Sequence, residues 1–63
     1  MVVYQVEVLD IRDEKNEVIG HSALFSNRMT AEAAATHFKE LYQTDIKKEE
    51  VYVALRQHYI IED

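Results

Sequence analysis

The beginning of the chain alternates between apolar and polar side chains. Its apolar positions recur every second residue, at Val2, Tyr4, Val6 and Val8. This period of two, in β-branched and aromatic residues, predicts a half-buried strand over Val2 to Arg12. The polar run Asp13 to Asn16 ends in a residue type that tolerates left-handed backbone geometry, and it predicts a hairpin turn. A return strand is expected over Glu17 to Ser26, where the alternating apolar residues are Ile19, Ala23 and Phe25.

The length of the turn decides which side chains share a face of this hairpin. A loop of two or four residues pairs Tyr4 with Phe25 and unites the apolar side chains, whereas a loop of three residues would split them between the two faces. We take the four-residue loop. The other pairs of that register are Val6 with Ala23, Val8 with His21, Leu9 with Gly20, Ile11 with Val18 and Arg12 with Glu17.

An amphipathic helix is predicted from Met29 and Thr30 onward. Its apolar residues recur at helical spacing, and they are Ala31, Ala34, Ala35, Phe38, Leu41 and Tyr42. Thr30 is the expected N-cap, and Met29 is expected to pack on Ala34. The alanines predict a close approach between the start of the helix and the sheet.

The segment from Val51 to Ile61 fits two secondary structures. A helix would leave Tyr52 and Val53 outside the apolar stripe, whereas a strand puts most of the apolar residues on one side, with Gln57 the exception. Its content of Val, Ile and Tyr favours a strand. The expected fold class is therefore α+β, a two-layer ββαβ sandwich. Its helix packs on one face of a three-stranded, mostly antiparallel sheet.

Composition narrows the functional classes. The 63 residues form a single small domain, 1–63, with seven Lys and Arg against twelve Asp and Glu and a net charge of -5. The absence of Cys excludes disulfides and thiolate sites, and one Gly with no Pro leaves no glycine-rich phosphate loop. No apolar run is long enough to span a membrane, and no signal peptide is recognisable, so a cytoplasmic protein without a membrane partner is expected.

Candidate catalytic and metal-binding residues are scattered along the chain. His21, His37 and His58 are isolated from one another, and no serine or threonine lies in a glycine-flanked turn. We therefore expect no metal, no cofactor and no enzymatic activity. A chain of this size buries only about 60% of its unfolded surface, so its fold is close to marginal stability. Without disulfides or a structural metal, association with a second copy is the remaining source of stability, and we expect a homodimer.

The sheet face that the helix does not cover is the candidate binding surface. On the predicted register this face mixes aliphatic residues with Tyr, Arg and His, and both Tyr and Arg are enriched at protein interfaces. The expected partner-binding residues are Tyr52, Arg56, His58, Leu9, Ile11, Val18 and Leu24. The alternative is that they are ordinary exposed residues of strands.

A second candidate surface is the acidic hairpin. Its carboxylates are Glu7, Asp10, Asp13, Glu14 and Glu17, which would stand in for nucleic-acid phosphates or simply form a solvated turn. The sequence thus predicts a non-catalytic, acidic protein–protein interaction module. In size and plan it looks like a small phage or mobile-element inhibitor or regulator that docks on a basic or nucleic-acid-binding host protein.

An alternative function follows from the order of hairpin and helix. It rests on Tyr4, Val6, Val8, Asp10 and Phe25, followed by the run from Ala31 to Leu41. This pattern resembles the arm-binding domain of tyrosine recombinases and implies an accessory DNA-associated domain. That family has three strands before its helix and a basic sheet, whereas two strands and an acidic hairpin are predicted here. Counterion release needs clustered basic residues, and Lys47 and Lys48 are followed at once by two glutamates, so nucleic-acid binding is not expected.

Overall fold

The residues that the structure describes form three strands and one α-helix. The computed structural model describes residues 1–12, 14, 16–45 and 50–61. Its elements are, in chain order, β1 (Val2–Asp10), β2 (Glu17–His21), α1 (Arg28–Asp45) and β3 (Val51–Tyr59). The helix lies against one face of an antiparallel sheet, so the predicted α+β class with ββαβ order is confirmed. The helix α1 is not apolar enough to cross a membrane, and no other helix among the described residues is a candidate.

The first strand is the centre of the sheet, whose strand order is β2-β1-β3. β1 and β3 pair without interruption, from Val2 opposite Tyr59 to Asp10 opposite Val51. The strand interpretation of the last segment is therefore confirmed. Its alternation also holds at the start of β3, where Val51 and Val53 are buried on the helix side.

The pairing of β1 with β2 differs from the predicted register except at its far end. Tyr4 does lie opposite Phe25, and their backbone N–H and C=O groups exchange hydrogen bonds of 2.7 and 2.8 Å. From there toward the turn, the pairing register shifts by one residue before Glu7, and a β-bulge shifts it by one more residue between Val8 and Leu9. The pairs that form instead are Glu7 with His21, Val8 with Gly20, Leu9 with Val18 and Asp10 with Glu17. The predicted pairs Val8–His21, Leu9–Gly20, Ile11–Val18 and Arg12–Glu17 are therefore wrong.

Two local features explain these shifts. Ser22 is buried, and its hydroxyl accepts a 2.9 Å hydrogen bond from the Val6 N–H while donating one of 2.7 Å to the Ala23 carbonyl. The Ser22 hydroxyl thus accepts the hydrogen bond that a backbone carbonyl would accept in a regular ladder, just after the end of β2. Ile19 is the extra residue of the bulge and is 41% exposed, so its predicted core position is wrong. Each one-residue shift exchanges the two faces of the strand, so two shifts return the side chains to their predicted faces, and Val18 still faces away from the helix.

Among the described residues of the turn, Glu14 and Asn16 lie in the left-handed region, at φ 62° and φ 51°. The prediction of left-handed geometry at Asn16 is confirmed. Arg12 binds Asp10, because its backbone N–H and its Nε each donate a 3.0 Å hydrogen bond to the Asp10 carboxylate. Asp13 lies outside the described residues.

The helix starts earlier than predicted because Asn27 is its N-cap. The Asn27 side-chain oxygen accepts hydrogen bonds from the N–H groups of Met29 at 2.8 Å and Thr30 at 3.3 Å. These N–H groups have no partner within the helix, so the cap is a local reason for the helix to begin at Arg28. The predicted cap at Thr30 is wrong, and Met29 is 78% exposed instead of packed.

The hydrophobic core is small and lies between α1 and the sheet. Its buried members are Val6, Val8, Val51 and Val53, and packed against them are Ala34, Ala35, Phe38, Tyr42 and Leu55. Ala31 is fully buried at the start of the helix, as its small size predicted. Leu41 is 50% exposed, so the predicted stripe is wrong at that position. Its neighbour Tyr42 lies against the sheet instead and stacks on Phe38, with ring centroids 5.8 Å apart.

A glycine makes room for that tyrosine. Gly20 lies opposite Val8 on the helix side of the sheet, and a Cβ placed on it would be 2.6 Å from the Tyr42 hydroxyl oxygen and 3.2 Å from Cζ. No side chain fits there without movement of the ring. The missing side chain of Gly20 therefore sets how closely the end of α1 approaches β2.

The protein exposes more surface than a compact chain of its mass. Its accessible surface is 4827 Å², against about 4,200 Å² expected for a monomer of this mass. The radius of gyration is 12.6 Å, against about 10.6 Å expected for this length. The excess follows from the two-layer plan, because one helix covers only one face of the sheet.

Candidate protein-interaction surface

The sheet face turned away from α1 carries the candidate site. We call it the outer face. Alternation along the paired strands places on it ten residues, namely Val3, Gln5, Glu7 and Leu9 of β1, Tyr52, Ala54, Arg56 and His58 of β3, and Val18 and His21 of β2. The core residues occupy the opposite face, so the helix does not cover this set.

One end of the outer face is apolar. Val18, Leu9 and Tyr52 lie side by side across the three strands, and we call them the apolar row. Leu9 is only 8% exposed because it lies between the other two, whereas Val18 is 46% and Tyr52 58% exposed. The Ile11 N–H donates a 3.0 Å hydrogen bond to the Glu50 carbonyl, which continues the ladder by one step and places the half-buried Ile11 next to the row.

The middle of the outer face is polar and internally paired. The Arg56 Nε donates a 2.7 Å hydrogen bond to the Glu7 carboxylate. The Gln5 amide donates to the Ser22 carbonyl at 3.0 Å and lies 3.3 Å from the His21 ring nitrogen Nδ1. These contacts hold the long side chains against the sheet, and the Arg56 side chain remains about half exposed at 51%.

The other predicted binding residues are less closely grouped. His58 is exposed and lies opposite the buried Val3, toward the far end of the outer face. Leu24 is 54% exposed and precedes the bridge residue Phe25, outside the named strands. Tyr52, Leu9, Val18 and Ile11 therefore form one cluster, with Arg56 and His58 further along β3 and Leu24 apart from it.

The acidic hairpin does not form one acidic face. Glu7 lies on the outer face with Arg56, whereas Asp10 follows Val6 and Val8 on the helix side and binds Arg12. Hydrogen bonds from the Arg12 side chain and backbone lower the pKa of the Asp10 carboxyl to about 2. Glu14 and Glu17 are exposed at the turn. The four described carboxylates are thus divided between two faces and the turn, and Glu7 and Asp10 are held by arginines.

Sequence reasoning missed two exposed side chains at the end of the chain. Alternation in the last strand predicts Tyr59 and Ile61 on the core side with Val51 and Val53, but they are 76% and 88% exposed because the helix does not extend over that end of the sheet. Amphipathic patterning gives no signal for this, since the pattern reports which face a residue takes and not how far the covering layer reaches. Among residues 1–12, 14, 16–45 and 50–61, no three His, Asp or Glu side chains are close enough to hold a metal ion.

Comparison with protein-family models, with curated proteins and with solved structures finds no match to this chain.

Proposed function

We propose that this chain is a non-catalytic interaction module that binds another protein through the outer face. The observation that carries the proposal is the apolar row, in which two exposed apolar side chains flank a buried leucine on the sheet face opposite α1. Antiparallel sheets that face water on one side are mostly polar there. An apolar patch in such a place is typical of a contact surface.

Tyr52 is the best anchor in the row. It is a large aromatic side chain with an apolar body and a polar tip, and more than half of it is accessible. Its neighbours Leu9 and Ile11 are already packed, so little side-chain entropy remains to be lost around it on binding. Aromatic anchors with such surroundings typically contribute about 2 kcal/mol or more to binding.

Charge around the row indicates the chemistry of the partner. Glu50 lies beside Ile11 at the end of the row, and the chain as a whole carries a net charge of -5. A carboxylate next to an apolar centre, in an acidic chain, complements a partner with an apolar projection and neighbouring Lys or Arg side chains. Proteins that bind nucleic acids have such basic surfaces, and a small inhibitor or regulator of a host protein of that kind fits this chemistry.

The test compares two exposed apolar side chains on opposite sides of the molecule. Tyr52 on the outer face is 58% exposed and Leu41 on α1 is 50% exposed. Tagged wild type, Tyr52→Ala and Leu41→Ala are used for affinity capture from native cells, followed by binding measurements with the purified captured protein. We expect Tyr52→Ala to weaken that binding about thirtyfold, and Leu41→Ala to leave it unchanged.

Two outcomes would contradict the proposal. One is unchanged binding by Tyr52→Ala, or a larger loss in Leu41→Ala, either of which would place the contact elsewhere. The other is a shift of duplex DNA by the purified wild type at low salt that disappears at moderate salt, with no captured protein. That result would favour the DNA-associated alternative, because phosphate contacts are strongly salt-dependent.

A further inference from the structure

The edge of β3 that faces away from β1 carries backbone N–H and C=O groups that make no hydrogen bond with the described residues. Met1 and Ile60 exchange hydrogen bonds of 3.1 and 2.8 Å, and the Ile11 N–H reaches the Glu50 carbonyl at 3.0 Å. The β1–β3 pairing is unbroken between these two hydrogen-bonded ends, at Ile60 and Glu50. Hydrogen-bonded pairs alternate along an antiparallel ladder, so the even-numbered residues of β3 direct their N–H and C=O groups to β1. The alternate residues direct theirs to the open edge, and these are Val51, Val53, Leu55, Gln57 and Tyr59. No hydrogen bond within the described part of the chain reaches these edge groups.

The two edges of the sheet differ in how they are protected. β2 is five residues long, contains a bulge and begins with a glutamate. β3 is nine residues long with no irregularity and no proline, and its only charged residue is Arg56. Short length, bulges and charges are the usual means of preventing edge pairing, and β3 has almost none of them.

Only the second half of the β3 edge is accessible. Val51 and Val53 are 3% and 9% exposed, whereas Tyr59 and Ile61 are 76% and 88% exposed. Gln57, between these halves, is exposed and its amide donates a 3.1 Å hydrogen bond to the Tyr59 hydroxyl. The free edge and the large uncovered side chains thus coincide from Leu55 to Ile61.

We propose that a second copy of this chain pairs with this edge, antiparallel, about a two-fold axis at Gln57. In this register Gln57 lies opposite Gln57 of the second copy, and Leu55 lies opposite its Tyr59. Each such pair exchanges two backbone hydrogen bonds. On the helix side, the exposed Tyr59 packs beside the half-buried Leu55 of the other copy. The product is a six-stranded sheet in which β3 is no longer an edge.

A second copy fits this edge better than a different partner for two reasons. The free groups match themselves under a two-fold rotation, as an isologous contact requires. Residues 51–61 carry no carboxylate in a chain of net charge -5, so two copies meet where their repulsion is least.

Charge on the outer face is compatible with this register. Arg56 lies opposite His58 of the second copy, and the two Arg56 side chains do not face each other directly. Each guanidinium is also held 2.7 Å from its own Glu7 carboxylate. The proposal does not depend on the outer face binding a partner, but pairing at β3 would join the two outer faces side by side.

The first experiment measures mass in solution by light scattering across a wide range of protein concentration. We expect wild type to reach twice 7.4 kDa. Gln57→Pro removes an edge N–H that makes no bond within the monomer, so it should stay folded by circular dichroism while its dimer dissociation constant rises at least about tenfold. Gln57→Ala keeps that N–H and should remain a dimer. A monomeric wild type at every concentration, or a folded Gln57→Pro with an unchanged dimer, overturns the proposal.

A second experiment keeps the proposal testable if Gln57→Pro does not fold. The chain has no native cysteine, so single cysteines report proximity without background. Gln57→Cys lies on the proposed axis, where opposed Cα atoms are about 5.5 Å apart and within reach of a disulfide. With an added oxidant it should cross-link rapidly as a dimer, whereas Thr36→Cys, exposed on α1, should not. Equal rates for the two cysteines would contradict the pairing. The double variant Tyr52→Ala with Gln57→Cys should cross-link at the same rate as Gln57→Cys alone. That result would show that the edge contact is independent of partner binding by the outer face.

Discussion

Replacement of Gly20 by alanine tests how the helix is seated on the sheet. The new methyl group would lie 2.6 Å from the Tyr42 hydroxyl oxygen, well inside an ordinary carbon–oxygen contact. Tyr42 cannot simply turn away, because its ring packs on the core and stacks on Phe38. Gly20→Ala should therefore push α1 from β2 or force the ring out of its position.

Two opposing terms set the size of this effect. Adding a methyl group to a packed site costs about 1–3 kcal/mol, and replacing glycine within a strand returns about 0.5–1 kcal/mol of backbone entropy. We expect a net loss of about 1–2 kcal/mol, with a fall in Tm of about 4–8 °C per kcal/mol for a chain of this size. Such a domain has only about 3–9 kcal/mol of stability in total.

Tyr42→Phe supplies the matched control. The Tyr42 hydroxyl makes no hydrogen bond with the described residues, so its removal should cost little by itself. It also leaves Cζ, at 3.2 Å, as the nearest atom to the new methyl group. Gly20→Ala should then be close to neutral when it is combined with Tyr42→Phe, and urea denaturation of the four proteins should give a coupling of about 1–2 kcal/mol. Equal losses with and without the Tyr42→Phe substitution would refute the proposed contact.

Two further measurements address the helix start and the hairpin. Asn27→Ala should lower the free energy of unfolding by about 1 kcal/mol through loss of the cap, while Thr30→Ala should change it little; the reverse order in denaturation would contradict the assignment of the cap. For Asp10, whose carboxyl pKa is lowered from 3.8 to about 2 by Arg12, the stabilisation is complete above about pH 4 and is lost as the pH falls toward 2. An NMR titration should place the wild-type midpoint near 2 and that of Arg12→Ala between 2 and 3.8, because the variant keeps the hydrogen bond from the backbone N–H of residue 12. A wild-type midpoint already near 3.8 would count against the contact.

The hairpin shows where periodicity stops being informative. Alternation correctly placed Tyr4 opposite Phe25, but it assumes that both strands advance at the same rate. Ser22 and the bulge at Ile19 each add one residue on the β2 side. The alternation of apolar and polar residues does not reveal a buried hydroxyl that replaces a backbone hydrogen-bond partner, because a serine at that position also fits an ordinary loop.

The faces on which Val18, Tyr52 and Leu9 lie were predicted better than the strand register from which they were inferred. Val18 was placed on the outer face through a wrong pair, and it remains there because two one-residue shifts cancel in parity. Tyr52 and Leu9 depend only on the regular pairing of β1 with β3, and they lie together as adjacent members of one row. Leu24 depends on the irregular stretch after β2, where parity gives no reliable placement, and it lies apart.

The order of elements, the amphipathic helix and the division of β1 and β3 into two faces follow from the sequence alone, because side-chain periods of two and 3.6 are local properties of the backbone. Only the tertiary structure decided that Gly20 lies under Tyr42, that Ser22 supports β2, and that the helix leaves Tyr59 and the edge of β3 uncovered. These features depend on the distance between elements that are remote in sequence, and that distance is set by packing and not by any local pattern.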